Sequence, residues 1–213
     1  MIFYRPTDGD VQGGPINWQP RSCFIMSAMG KNVPRTVGNA RRRVASVLAD
    51  VGFKSTDAST LTTGKDYLLK IWSLAVCSPV GVAVVHEGIR PETMANVFYE
   101  LGLMQAYGRE TVVVRVGEVA LPSDLVRTEY IQFDAKFTRR FSGFVATLAE
   151  RAEYYLILSQ QLESDPLLAI DYLRRSYLLS GNEKLRGRAQ QIFRHSRLSD
   201  RAKDSVERNL VRF

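Results

Sequence analysis

In the stretch NVFYELG, Asn96–Gly102, the carboxylate of Glu100 follows the amide of Asn96 by four residues, about one helical turn. On a wheel of about 100° per residue, Met94, Val97, Leu101 and Met104 share one apolar face, and Glu100 falls at its border beside Asn96 and Tyr107. A carboxylate held between a core stripe and a crevice can stabilise a developing cation or take a proton. The same position suits a solvated flank residue, and the pattern alone leaves both readings open. Three further groups have types that could serve such a site. His86 and Glu87 follow an apolar run and offer a proton shuttle and a ribose-hydroxyl contact, or else ordinary strand-end polarity. Arg90 can pair a pyrophosphate or lie exposed in its loop. Ser27, Ala28, Met29 and Gly30 follow another apolar run, where backbone N–H groups can meet a phosphate or ribose; a plain strand-to-helix connection reads equally well.

The elements that must position these residues alternate. SCFIM, residues 22–26, is a short buried strand; a helix over about 37–51 carries Val44, Val47, Leu48 and Val51 at helical spacing. A weaker strand is expected over 53–59 and a helix over 65–77, stopped by Ser78-Pro79. The β-branched run ending at Val85 reads as a strand covered on both faces. The helix bearing Glu100 should span about 92–107 and close at Gly108, and strands are expected at 111–116 and 130–133. Between them, Ser123 and Asp124 read as turn and capping residues. This alternation predicts an α/β fold, a doubly wound and mostly parallel sheet with helices on both faces. After Asp134 the pattern is helical only: 137–163, then 167–179 behind the cap pair Asp165-Pro166, then 183–195 and 200–210. The expected organisation is an irregular arm over 1–20, an α/β domain over 21–136 and a helical region over 137–213.

Composition narrows the class. The chain has 213 residues, 45% hydrophobic and 24% charged, which supports a sizeable core and excludes a disordered chain. Cys23 and Cys77 sit in apolar runs with no CxxC or Cys/His cluster, so they read as buried free thiols suited to a reducing cytoplasm, with no metal site. No secretory signal is visible, and the longest uncharged run is too short for a membrane span. The net charge of +7 is concentrated at the end of the chain: residues 184–213 hold nine Lys/Arg against three acids. Few aromatics are interleaved there, which favours a solvated helix face over a nucleic-acid surface.

The segments NVFYELG, GRETVVV, LPSDL and YIQFD, together with FIMSAMG near the first strand, resemble the TIR-like nucleotide-binding family of bacterial antiphage effectors of the CBASS and Pycsar type. They are also similar to the nucleoside 2-deoxyribosyltransferases, related in fold. The resemblance is good over 96–134, looser over 23–85 and absent from the helical tail. It implies a TIR-like (flavodoxin-like) fold and Glu100 as the catalytic residue acting on the anomeric carbon of a ribosyl group. It further implies NAD as substrate with no separate cofactor and a homo-oligomer as the active form. The helical tail, outside the resemblance, is the candidate place for a dimer surface, an activating protein partner or a sensing site.

The chemistry separates the two families. Breaking a ribosyl C–N bond passes through an oxocarbenium-like state that a carboxylate can stabilise or capture. Nicotinamide leaves NAD as a neutral ring because its nitrogen is already cationic, whereas a purine or pyrimidine usually requires a general acid. The expected functions are therefore NAD cleavage to nicotinamide and ADP-ribose, a nucleoside 2-deoxyribosyltransferase or N-glycosidase, or a non-catalytic nucleotide-binding or scaffold module whose basic tail meets a protein or nucleic acid.

Overall fold

The computed structural model describes residues 4–5, 8–10, 16–30, 33–60, 67–123, 130–162, 164–199, 203, 207 and 213. Five strands, β1 (Ser22–Ser27), β2 (Lys54–Asp57), β3 (Val80–His86), β4 (Glu110–Val116) and β5 (Tyr130–Gln132), form one sheet in the order β2-β1-β3-β4-β5. Every pairing is parallel. This is a flavodoxin-like doubly wound sheet, and it is wholly rather than mostly parallel. The continuous β-branched run of β3 follows from that architecture: residues 80–85 are all buried because both faces of the strand are covered.

Helices α1 (Arg35–Asp50), α2 (Tyr67–Cys77) and α3 (Pro91–Ala106) link the first four strands. The chain runs outward from β1 to β2 and then back past β1 to β3, so right-handed crossovers place α1 on one face and α2 with α3 on the other. The core of the second face joins Phe24 and Met26 of β1, Ala83 and Val85 of β3 and Val113 of β4 to Ile71 and Leu74 of α2 and Val97, Leu101 and Met104 of α3. Gly81 permits this approach, because a Cβ there would overlap the Met104 sulfur. Across the same layer, Trp72 Nε1 donates to the Tyr107 hydroxyl at 2.7 Å with the rings edge to face, which ties α2 to α3.

The helical part comprises α4 (Phe137–Gln161), α5 (Pro166–Ser180) and α6 (Lys184–His195). The expected final helix over 200–210 lies almost wholly outside the described residues, as does Asp124. The contacts divide the chain into two compact units, one of residues 22–146 and one of residues 1–21 with 147–213. The division thus falls inside α4 rather than at its start, and the expected separate arm belongs with the helical unit. The first unit keeps the opening turns of α4, where Phe133, Phe137, Phe141 and Phe144 stack in series at 5.0, 5.3 and 5.9 Å.

In the second unit, α5 begins on Asp165, whose Oδ1 accepts from the Leu167 and Leu168 N–H groups, each at 3.2 Å. The Ser176 hydroxyl donates to the Ala152 carbonyl at 2.7 Å, joining α5 to α4. Asp171 pairs with the buried Arg174 and, at 3.0 Å, with Arg175. Trp18 lies 4.3 Å from the Arg174 guanidinium, so its charge meets a π face as well as a carboxylate. Burial works to raise the Asp171 carboxyl, but the two guanidinium charges outweigh it and hold the group below the usual range.

Candidate active site

A parallel α/β sheet gathers the carboxyl ends of its strands on one edge, and the strand order reverses direction between β1 and β3. Two hollows lie at that edge. The larger, about 280 Å³, is lined by Ser27 at the end of β1, Met29 beyond it, Ala58 after β2, Leu68 and Ile71 of α2, and Thr93, Asn96, Tyr99 and Glu100 of α3. The smaller, about 160 Å³, is lined by Ala28, Met29, Pro34, Gly88, Arg90 and Thr93. Met29 and Thr93 line both.

Local sequence explains how α3 presents its carboxylate. Pro91 occupies the first helical turn, where its missing N–H costs nothing, and Glu92 favours the positive end of the helix dipole. Val97, Leu101 and Met104 are buried against the sheet, which fixes the rotation of the helix. Glu100 then falls at the edge of the buried stripe, half-buried in the wall of the larger hollow. Burial pushes its carboxyl up from 4.5 to about 7, and among the described residues no charge or hydrogen bond lowers it. Asn96 lies one turn earlier on the exposed side of the same wall. Opposite, a 3-10 turn at Ala58–Thr60 is held by Asp57, which accepts from the Ser59 N–H at 2.9 Å and pairs with Arg41.

The structure brings Glu100, Asn96, Ser27 and Met29 to one hollow and Ala28, Met29 and Arg90 to its neighbour. The Ser27 hydroxyl meanwhile reaches the Ala28 carbonyl at 3.4 Å. His86 and Glu87 line neither hollow. Side chains alternate along a strand, and Val85 faces the α2/α3 core, so His86 emerges on the opposite side. Its Nδ1 accepts from the Gly88 N–H at 2.7 Å, leaving the proton on Nε2, which stands 3.9 Å from a Glu87 carboxylate oxygen. The Glu87 carboxylate in turn occupies the space a side chain at Gly117 would need, over the end of β4.

Sequence reasoning did not single out Ala58, Leu68, Thr93 or Tyr99 as lining residues, and it read Ile25 and Val97 only as core. Tyr99 adjoins the candidate carboxylate and could have been found by asking what flanks it. Leu68 has no such signal, since in YLLKIWSL it reads as core. Among the described residues no group of three or more His, Cys, Asp or Glu could hold a metal ion. Cys23 and Cys77 are free and buried, and burial pushes both thiols up, Cys77 to about 11. No described helix is long and apolar enough to cross a membrane.

The fold and the hollow together define a class: a flavodoxin-like α/β domain with a half-buried carboxylate, Glu100, in a hollow at the carboxyl edge of its sheet. Comparison with protein-family models, curated proteins and solved structures finds no match for this chain.

Proposed function

We propose that this protein cleaves the N-glycosidic bond of NAD, releasing nicotinamide and ADP-ribose, with Glu100 as the catalytic carboxylate. The observation that carries the reading is the carboxyl group of Glu100, held near a pKa of 7 in a concave wall and joined by no second carboxylate, histidine or lysine among the described lining residues. A site with one such group suits a leaving group that departs without being protonated, and the pyridinium of NAD does so. The NVFYELG and LPSDL resemblance supports the same assignment.

In this mechanism the C1′–N bond breaks and its electron pair passes to the ring nitrogen, which becomes neutral. The ionised Glu100 stabilises the ribosyl cation or captures C1′ as an ester. Water then adds to C1′ and gives up its proton, so NAD and water become ADP-ribose, nicotinamide and H⁺. A carboxylate whose proton is half-bound near neutral pH can take that proton from the attacking water. The cationic ring also favours loss of the Glu100 proton on binding, since an opposite charge nearby stabilises the anion. In this reading Ser27 and Asn96, which line the same hollow as Glu100, contact ribose hydroxyls, and Arg90 contacts a phosphate in the adjoining hollow. The homo-oligomer and a role in antiphage defence rest on the resemblance, and an activating partner would engage the helical tail outside it; all three follow only if this activity is found.

The test is a chromatographic time course of NAD, nicotinamide and ADP-ribose with concentrated wild-type protein and Glu100→Gln, repeated with deoxynucleosides. Loss of NAD with the wild type alone supports the proposal. Release of free base from deoxynucleosides with NAD intact would replace it with nucleoside transfer or hydrolysis.

A further inference from the structure

Large apolar side chains exposed singly on a protein surface need no explanation. Two here share a location. Leu68 is 55% exposed and Tyr99 48% exposed, and both line the hollow that holds Glu100. They come from different helices, α2 and α3, whose packing is held by the Trp72–Tyr107 contact. Ile71, Leu74 and Ala75 of α2 are buried in the core, so Leu68 is outside because it stands over the hollow and not because the helix is loose. Tyr99 is rotated about 100° from Glu100 on α3, which brings its ring to the same opening.

From this juxtaposition we infer that Leu68 and Tyr99 form a clamp for the flat heteroaromatic ring bonded to the ribose C1′, an assignment that rests on the reading of Glu100 given above. If C1′ lies at the Glu100 carboxylate, the ring attached to it lies within one ring's breadth, beside the residues that share the wall with Glu100. The far end of a dinucleotide is too distant to be the group held there. An aromatic face from one helix and an aliphatic side chain from the other suit a planar ring with little demand for hydrogen bonding. The hollow, about 280 Å³, is at the small end of ligand sites, so the remainder of a dinucleotide must lie beyond it. The neighbouring hollow across Met29 and Thr93 is the adjoining space.

The full chain carrying Glu100→Gln, which blocks turnover, is titrated calorimetrically with nicotinamide mononucleotide, AMP and ribose 5-phosphate, alone and with Tyr99→Ala, Tyr99→Phe or Leu68→Ala added. Stacking on one aromatic side chain corresponds to a loss of about tenfold in affinity when it is removed. Tyr99→Ala should therefore weaken a ring-bearing ligand about tenfold and leave ribose 5-phosphate unchanged, with Tyr99→Phe close to the parent. The two ring-bearing probes report whether the clamp takes a pyridine or a purine. An equal loss for ribose 5-phosphate, or no loss for either ring-bearing ligand, overturns the clamp. So does sedimentation in which the parent self-associates while Tyr99→Ala and Leu68→Ala stay monomeric, since a second copy of the chain would then cover the pair. Turnover of NAD by the wild type is read separately: binding sensitive to Tyr99 without turnover keeps the clamp and removes the nucleosidase reading, and turnover with Tyr99-insensitive binding does the reverse. Both side chains are exposed, so their replacement leaves the core intact, and thermal melts check this.

Discussion

Replacing Glu100 by glutamine should make the protein more stable at alkaline pH, even as it abolishes the proposed activity. Burial raises the Glu100 carboxyl from 4.5 to about 7. Holding the ionised form in that wall therefore costs about 3 kcal/mol at high pH, by the linkage between protonation and folding. The side chain is only half-buried, and water access reduces the figure to about 1–3 kcal/mol. The sign follows from proton counts. Below pH 4.5 the group is protonated in both folded and unfolded chains and contributes no difference. Between 4.5 and 7 the unfolded chain ionises while the folded chain keeps its proton, so stability falls as pH rises; above 7 the deficit is constant. Glutamine has no such titration. Denaturant melts of wild type and Glu100→Gln at pH 4.5, 6, 7 and 8 should thus diverge in step with pH, reaching about 2 kcal/mol at pH 8, or roughly 6 °C in Tm. Taking the difference between the two proteins removes groups they share, including Asp57 and Asp171, whose lowered carboxyls lose stability in acid instead. Parallel stability curves across that pH range would refute the burial of the Glu100 carboxyl in a low-dielectric wall.

Three other outcomes follow from particular contacts. If Glu100 acts ionised, kcat/KM for NAD should rise with pH through about 7 and then level, a profile that initial-rate measurements from pH 5 to 9 would show; a fall above 7 would mean that the protonated acid is the working form. Gly81→Ala places a Cβ against the Met104 sulfur and should cost about 1–3 kcal/mol by urea denaturation. That cost should shrink when Met104→Ala is added. Asp171→Ala leaves the Arg174 charge buried against Trp18 without its carboxylate and should destabilise by about 3–5 kcal/mol. Because the change lies outside residues 22–146, ligand binding at Glu100 measured below the melting transition should persist.

The local pattern was sufficient for most elements because the forces that define them act over a few residues. The β-branched run of β3 announced a strand covered on both faces, the Asp165-Pro166 pair announced the start of α5, and the stripe Val97, Leu101, Met104 announced the buried face of α3. Those features together placed Glu100 at the border of a buried face. The boundary between compact units was less visible, because α4 is a continuous helix whose two ends pack with different parts of the chain, and nothing in its periodicity marks the change.

The sequence by itself determined the alternating α/β architecture, the run of helices α4 to α6 and the position of Glu100 beside an apolar stripe, since each depends on spacing within one element. The tertiary structure alone decided what surrounds that carboxylate. It set His86 on the far side of the sheet and Glu87 over the end of β4. It also brought Leu68 of α2 and Tyr99 of α3 around one hollow and raised the Glu100 carboxyl by burial. These outcomes depend on which elements become neighbours when the sheet reverses its strand order. A carboxyl's proton affinity depends on the solvent excluded by those neighbours, which no spacing within α3 can encode.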